Sequence, residues 1–137
     1  MRQYSIFISH SWAYSDAYEK LISMLGRAQY FNFRDYSVPK NDPIHNATDA
    51  LQLRAAIRRQ MQYASVVVIM AGVYSTYSKW INIEIDLALH GFSTKKPILA
   101  IKPWASTKIS TRVSKAADQM VGWNGQSIAN SIKGLAL

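Results

Sequence analysis

The sequence predicts a doubly wound α/β fold, a five-stranded parallel sheet with helices on both faces. Three observations carry this. Uncharged runs such as Ser65-Val66-Val67-Val68-Ile69-Met70 and Pro97-Ile98-Leu99-Ala100-Ile101 read as strands buried on both faces, as parallel sheets require. Longer stretches between them carry apolar residues at helical spacing, so the order reads β-α-β-α-β-α-β-α-β-α. The length of 137 residues suits one domain over residues 1–137.

Tyr4-Ser5-Ile6-Phe7-Ile8 is the first strand. Ser15-Asp16 then offers an N-cap, and Tyr18, Leu21, Ile22 and Leu25 follow at helical spacing. Phe31 to Tyr36 is a second short strand, interrupted by Arg34 and Asp35. Ser37 to Asp49 contains Pro39, Asn41-Asp42-Pro43 and Asn46 and shows no periodicity. Loops this long inside a compact domain are usually functional or mobile. A second helix from Ala50 to Tyr63 aligns Leu53, Ile57 and Met61, with Arg54 and Arg58 beside that stripe. Ser65 to Met70 is the central strand, ended by Ala71-Gly72, and Pro97 to Ile101 is the fourth. A helix over Ser110–Ala117, a short strand over Gln119–Val121 and a last helix over Gln126–Lys133 complete the pattern.

One stretch sends mixed signals. Ile81, Ile83, Ile85, Leu87 and Leu89 alternate with polar or small residues, the period of a strand. Between Trp80 and Phe92, however, the stretch is longer than strands usually are. Ser75, Thr76 and Ser78 offer N-caps, and two parallel strands need a crossover between them. These points predict a largely buried helix.

Five strands in this length suit the flavodoxin-like order 2-1-3-4-5. Such sheets bind ligands outside the carboxyl ends of their strands, where the order switches between strands 1 and 3. That rim holds Ser9, His10, Ser11 and Trp12 after the first strand and Ala71 to Tyr77 after the third, beside the 37–49 loop.

Composition narrows the chemistry. The absence of Cys excludes thiol nucleophiles, iron–sulfur clusters and Cys-ligated zinc. His10, His45 and His90 lack partners at metal-ligand spacing, so no metal is expected. Neither GxGxxG, GxxxxGK[ST] nor GxSxG occurs. A phosphoacceptor receiver would need acidic residues ending strands 1 and 3, where Ser-His-Ser and Met-Ala-Gly stand instead. The net charge of +8 suits an anionic partner or simple solubility. No basic run marks a nucleic-acid tail, so nucleic acid is not an expected partner. No apolar run reaches the ~18 residues of a membrane span, nor is there a signal-peptide core, and the expected location is the cytoplasm.

Glu84 stands out, one of eight acidic residues and set in the most apolar helix. An ionised carboxylate buried without partners costs several kcal/mol or more. It therefore either faces solvent or pairs with an Arg, or else it lines the rim pocket. In the latter place it suits glycosyl cleavage, where a carboxylate stabilises an oxocarbenium-like transition state.

Tyr4-Ser5-Ile6-Phe7-Ile8-Ser9-His10-Ser11 resembles the opening strand and turn of TIR domains, and Ser78-Lys79-Trp80-Ile81-Asn82-Ile83-Glu84-Ile85 resembles their Ser-x-Trp…Glu segment. The Trp80-to-Glu84 spacing is similar to the motif that carries the catalytic glutamate of NAD-cleaving TIR domains. The 37–49 loop falls where that superfamily has a mobile loop. The short chain most resembles the TIR-like proteins of bacterial antiphage defence, such as the Thoeris type. Two positions depart from the pattern: Ile81 replaces a frequent cysteine, and His10 stands where Tyr or Phe is common.

The resemblance implies a TIR-like fold and an NAD+ glycohydrolase or ADP-ribosyl cyclase, with NAD+ as substrate and no cofactor. Glu84 would be catalytic. Trp80 would pack beside the pocket, Ser9, His10 and Trp12 would line its phosphate and ribose side, and Arg34 with the 37–49 loop would close over the ligand. Trp12, Tyr74 and Tyr77 are the candidates for stacking on nicotinamide, although each also suits ordinary packing. The resemblance further implies homo-oligomeric assembly on activation and a separate effector protein that senses a cyclic ADP-ribose product. A TIR-like signalling or adaptor module that binds without turnover is the alternative.

Overall fold

The computed structural model describes residues 2–9, 17–37, 49–70, 78–102 and 111–136. Its elements are β1 (Gln3–Ile8), α1 (Ala17–Arg27), β2 (Asn32–Asp35), α2 (Ala50–Met61), β3 (Val66–Met70), α3 (Ser78–His90), β4 (Ile98–Ile101), α4 (Thr111–Ala116), β5 (Gln119–Val121) and α5 (Gly125–Leu135). All neighbouring strands pair in parallel, in the order β2-β1-β3-β4-β5. The elements read from the sequence are all present, with small differences at their ends.

The three inner strands carry the core. Ile6 to Ile8, Val66 to Ile69 and Ile98 to Ile101 are wholly buried, which is why their sequences lack the alternation of a half-exposed strand. The outer strands β2 and β5 are short and partly exposed, as edges that avoid further pairing tend to be. Right-handed crossovers stepping in opposite directions across a sheet lie on opposite faces. Accordingly α1 packs on α5, while α2 packs on α3 and α3 on α4.

Capping and side-chain ties hold these helices in place. Asp49 caps α2 by accepting the Leu51 N–H at 2.9 Å, and Asn124 caps α5 by accepting that of Ser127 at 2.9 Å. A Cβ on Gly125 would lie 2.9 Å from the Met24 carbonyl oxygen, so its absence permits the close approach of α5 to α1. Arg54 pairs with Asp86 at 2.5 Å, linking α2 to α3. Arg58 donates to the Gly91 carbonyl at 3.2 Å and lies over the Phe92 ring. Lys95 pairs with Asp118 at 2.8 Å, and Lys96 donates to the Ala64 carbonyl at 2.7 Å. These four cations serve contacts within the fold.

The mixed signal over α3 resolves as a helix. Trp80, Ile81, Glu84, Ile85, Leu87 and Ala88 are buried, whereas Ile83 and Leu89 are only partly so. Burial thus follows a helical stripe rather than the odd-numbered isoleucines and leucines.

Candidate functional site

The site grows from the end of β1. Its last pairing with β3 is Ile8 against Val68, and the next residue, Ser9, donates its N–H to the Val68 carbonyl at 2.9 Å. Ser9 therefore sits at the carboxyl end of the sheet, where the strand order switches. Its hydroxyl donates to Glu84 Oε1 at 2.5 Å. Ser9 is 1% exposed and Glu84 0%. Trp80, one helical turn before Glu84, is also buried.

Solvent exposure of Glu84, one of the readings left open by the sequence, is thereby excluded. Hydrogen bonds to charged groups are short and about twice as strong as neutral ones. The Ser9 hydroxyl thus offsets part of the desolvation cost of a carboxylate in an apolar helix. Chemically, the arrangement fixes a carboxylate at the switch point of the sheet, and an ionised carboxylate so held is suited to stabilising positive charge on a ligand.

Arg34 is exposed on β2, in register with Ser5 of β1. Ser5 precedes Ser9 by four residues, about 13 Å along a strand. The Arg34 guanidinium lies over the Tyr36 ring, 5.0 Å from its centroid, and Tyr36 stacks on Tyr63. The structure therefore joins Ser9, Glu84 and the neighbouring Trp80, and it places Arg34 lower on the sheet. His10, Trp12, Tyr74, Tyr77 and residues 38–48 of the long loop lie outside the described residues.

A second polar cluster adjoins the site. The Asp35 carboxylate accepts the Tyr18 hydroxyl, the Ser37 hydroxyl and, at 2.9 Å, the Ser37 N–H. The Ser37 hydroxyl oxygen accepts the Ile8 N–H at 3.1 Å. Burial, then the hydrogen bond and charge of Asp35, push the Tyr18 hydroxyl above the ordinary phenol range, so it remains a donor. In the sequence, Tyr18 reads as part of an apolar stripe and Asp35 as a strand interruption. The available signal was a carboxylate closing a strand next to the switch point.

An open cleft lies elsewhere, between the end of α1 and the start of α5, lined by Met24, Arg27, Ala28, Asn124, Gly125 and Gln126. It contains none of the residues singled out from the sequence. Among the described residues no three His, Cys, Asp or Glu gather as metal ligands would, and no helix is long and apolar enough to cross a membrane.

A family model described as the TIR-like domain of the Thoeris protein ThsB matches residues 7–108. The match begins inside β1 and runs past α3 and β4, so Ser9, Trp80 and Glu84 all fall within it. A comparison with curated proteins found no match.

Proposed function

The chain belongs to the Thoeris ThsB TIR-like domain family, and from that premise we propose that it cleaves NAD+. The observation that supports this most is the Ser9–Glu84 pair, a buried carboxylate held by a hydroxyl at the switch point of the sheet. In the proposed reaction the bond between C1′ of the ribose and the nicotinamide nitrogen breaks. Its electron pair leaves with nicotinamide, which departs neutral, and positive charge develops on the ribose. Glu84 stabilises that charge without forming a bond. Water then adds at C1′ and loses a proton, giving ADP-ribose, or a nucleophilic group of the same molecule adds and gives a cyclic isomer. Ser9 keeps the carboxylate oriented, and Trp80 backs it from one turn away.

NAD+ is the substrate here, and the reaction needs no other cofactor. In this reading the product is a defence signal sensed by a separate effector protein, and the reaction proceeds in the cytoplasm. Because Glu84 is fully shielded in the single chain, its access to substrate depends on a structural change. We assign that step to assembly with further copies of the chain. Specific activity is then expected to rise with protein concentration while gel filtration shows a larger species. Full turnover by a strict monomer contradicts this.

The same shielding favours one other reading, a TIR-like scaffold that binds a partner or nucleotide without turnover. Nicotinamide release from NAD+ at high protein concentration separates the two, with Glu84→Gln as the control. Release that depends on Glu84 supports the enzyme. A folded, assembled protein that releases none supports the scaffold.

A further inference from the structure

The chain entering Ser9 is held from both sides, through two successive peptide units. On the β3 side, the Ser9 N–H meets the Val68 carbonyl at 2.9 Å. On the β2 side the ladder stops early. Tyr36 donates its N–H to the Ile6 carbonyl at 2.8 Å, and in a continued parallel ladder the Tyr36 carbonyl would take the Ile8 N–H. The Ile8 N–H instead meets the Ser37 hydroxyl at 3.1 Å. A side chain stands where backbone would, and its direction is set from behind: the Ser37 hydroxyl donates to Asp35, whose carboxylate is itself anchored by the Tyr18 hydroxyl on α1. With its proton committed to Asp35, the Ser37 oxygen turns a lone pair toward Ile8.

We propose that Asp35 and Ser37 are positioning residues for Glu84: together they hold the Ile8 N–H, and with it the chain entering Ser9, so that the Ser9 hydroxyl meets the Glu84 carboxylate. The path is continuous, from Tyr18 through Asp35, Ser37 and the Ile8 N–H to Ser9 and then Glu84, and each step is a hydrogen bond or a short length of covalent chain. Neither Asp35 nor Ser37 bonds Glu84 directly through these contacts; they act through Ser9. The clamp also lies where β2 gives way to the 37–49 segment. The geometry concerns the carboxylate alone, and only its effect on turnover rests on the NAD+-cleaving reading.

The test uses a feature of composition. The chain has just two glutamates, Glu19 and Glu84, and Glu19 is exposed on α1. Carboxyl-13C-labelled glutamate therefore gives two side-chain signals in the NMR spectrum of the full chain, assigned with Glu84→Gln. Ser9→Ala defines how the Glu84 signal moves when its hydroxyl donor is lost. Ser37→Ala is expected to move the signal in the same direction while leaving that of Glu19 in place, and Ser37→Thr to keep the wild-type position. Adding Ser37→Ala to Ser9→Ala should move it no further. A Glu84 signal unmoved in folded Ser37→Ala overturns the proposal. If that variant does not fold, Tyr18→Phe serves instead: a smaller shift of the same sign supports the clamp, and no shift overturns it. In turnover, Ser37→Ala should lower kcat about tenfold or more with KM retained, the mark of a misplaced group rather than lost binding. Should the wild type release no nicotinamide, the NAD+ reading fails, and the carboxyl signal still decides whether the clamp exists.

Discussion

Replacing Ser9 by Ala deletes one oxygen from a place where water cannot substitute for it. Ser9 is 1% exposed and Glu84 0%, and the bond between them is 2.5 Å long. Hydrogen bonds to charged groups contribute about 1.5–3 kcal/mol, and a buried acceptor that loses its donor forfeits the larger part. A cost of about 2 kcal/mol is therefore expected. Unfolding entropy of about 2.1 cal/mol/K per residue gives roughly 0.3 kcal/mol/K for 137 residues, so Tm should fall by about 7 °C. The assay is urea and thermal unfolding at neutral pH, repeated in a Glu84→Gln background. With a neutral amide as acceptor the same deletion should cost only about 1 kcal/mol, leaving a coupling of about 1 kcal/mol between the two positions. A Ser9→Ala protein within about 0.5 kcal/mol of wild type, the range of ordinary surface changes, would show that the Ser9–Glu84 bond does not carry this stability.

Two further outcomes follow from features away from the site. Tyr30 is 78% exposed and holds φ at 57°, a left-handed backbone that a bulky side chain seldom adopts. Tyr30→Asn should stabilise the chain by about 0.5–1 kcal/mol, because Asn tolerates that region, and urea unfolding reads it. Asp118 is pulled two ways: burial raises its pKa, but the Lys95 hydrogen bond, the Ile98 N–H and the Lys95 charge outweigh burial and hold it below the usual carboxylate range. A depressed carboxylate pKa contributes stability above the unfolded value, about 3.9, and loses it as pH falls through the folded value. Asp118→Asn should therefore be less stable than wild type at neutral pH and converge with it in acid; a constant gap across the titration contradicts this.

The fold was legible because its inner strands are buried on both faces and must be uncharged throughout, as Val66 to Ile69 and Ile98 to Ile101 are. The α3 segment was harder, since a helix apolar around most of its circumference also satisfies a period of two. Length and the need for a crossover decided it, and the partial exposure of Ile83 and Leu89 is the structural counterpart. Glu84 could be singled out because a carboxylate in such a helix demands a reason, and Ser9 because it follows the first strand at the switch point. Their direct bond could not be read, as it joins residues 75 positions apart. Arg34 illustrates a different limit. Its place depends on the stagger of β2 against β1, in register with Ser5 rather than Ser9, and strand composition does not encode stagger. Tyr18, Asp35 and Ser37 were hidden for a related reason: each fits a local role in its own element, and only the packing of α1 against the end of β2 unites them.

The role proposed for Glu84 is glycosidic cleavage of NAD+. Its most direct test is nicotinamide release at high protein concentration by the wild type and by Glu84→Gln, with the nucleotide product identified by mass and chromatographic retention. Gln keeps the size and the hydrogen-bonding capacity of Glu but cannot offset the charge of the developing cation. Release by the wild type is expected, with a loss of about 10²-fold or more in a variant that remains folded. Undiminished release by folded Glu84→Gln contradicts it.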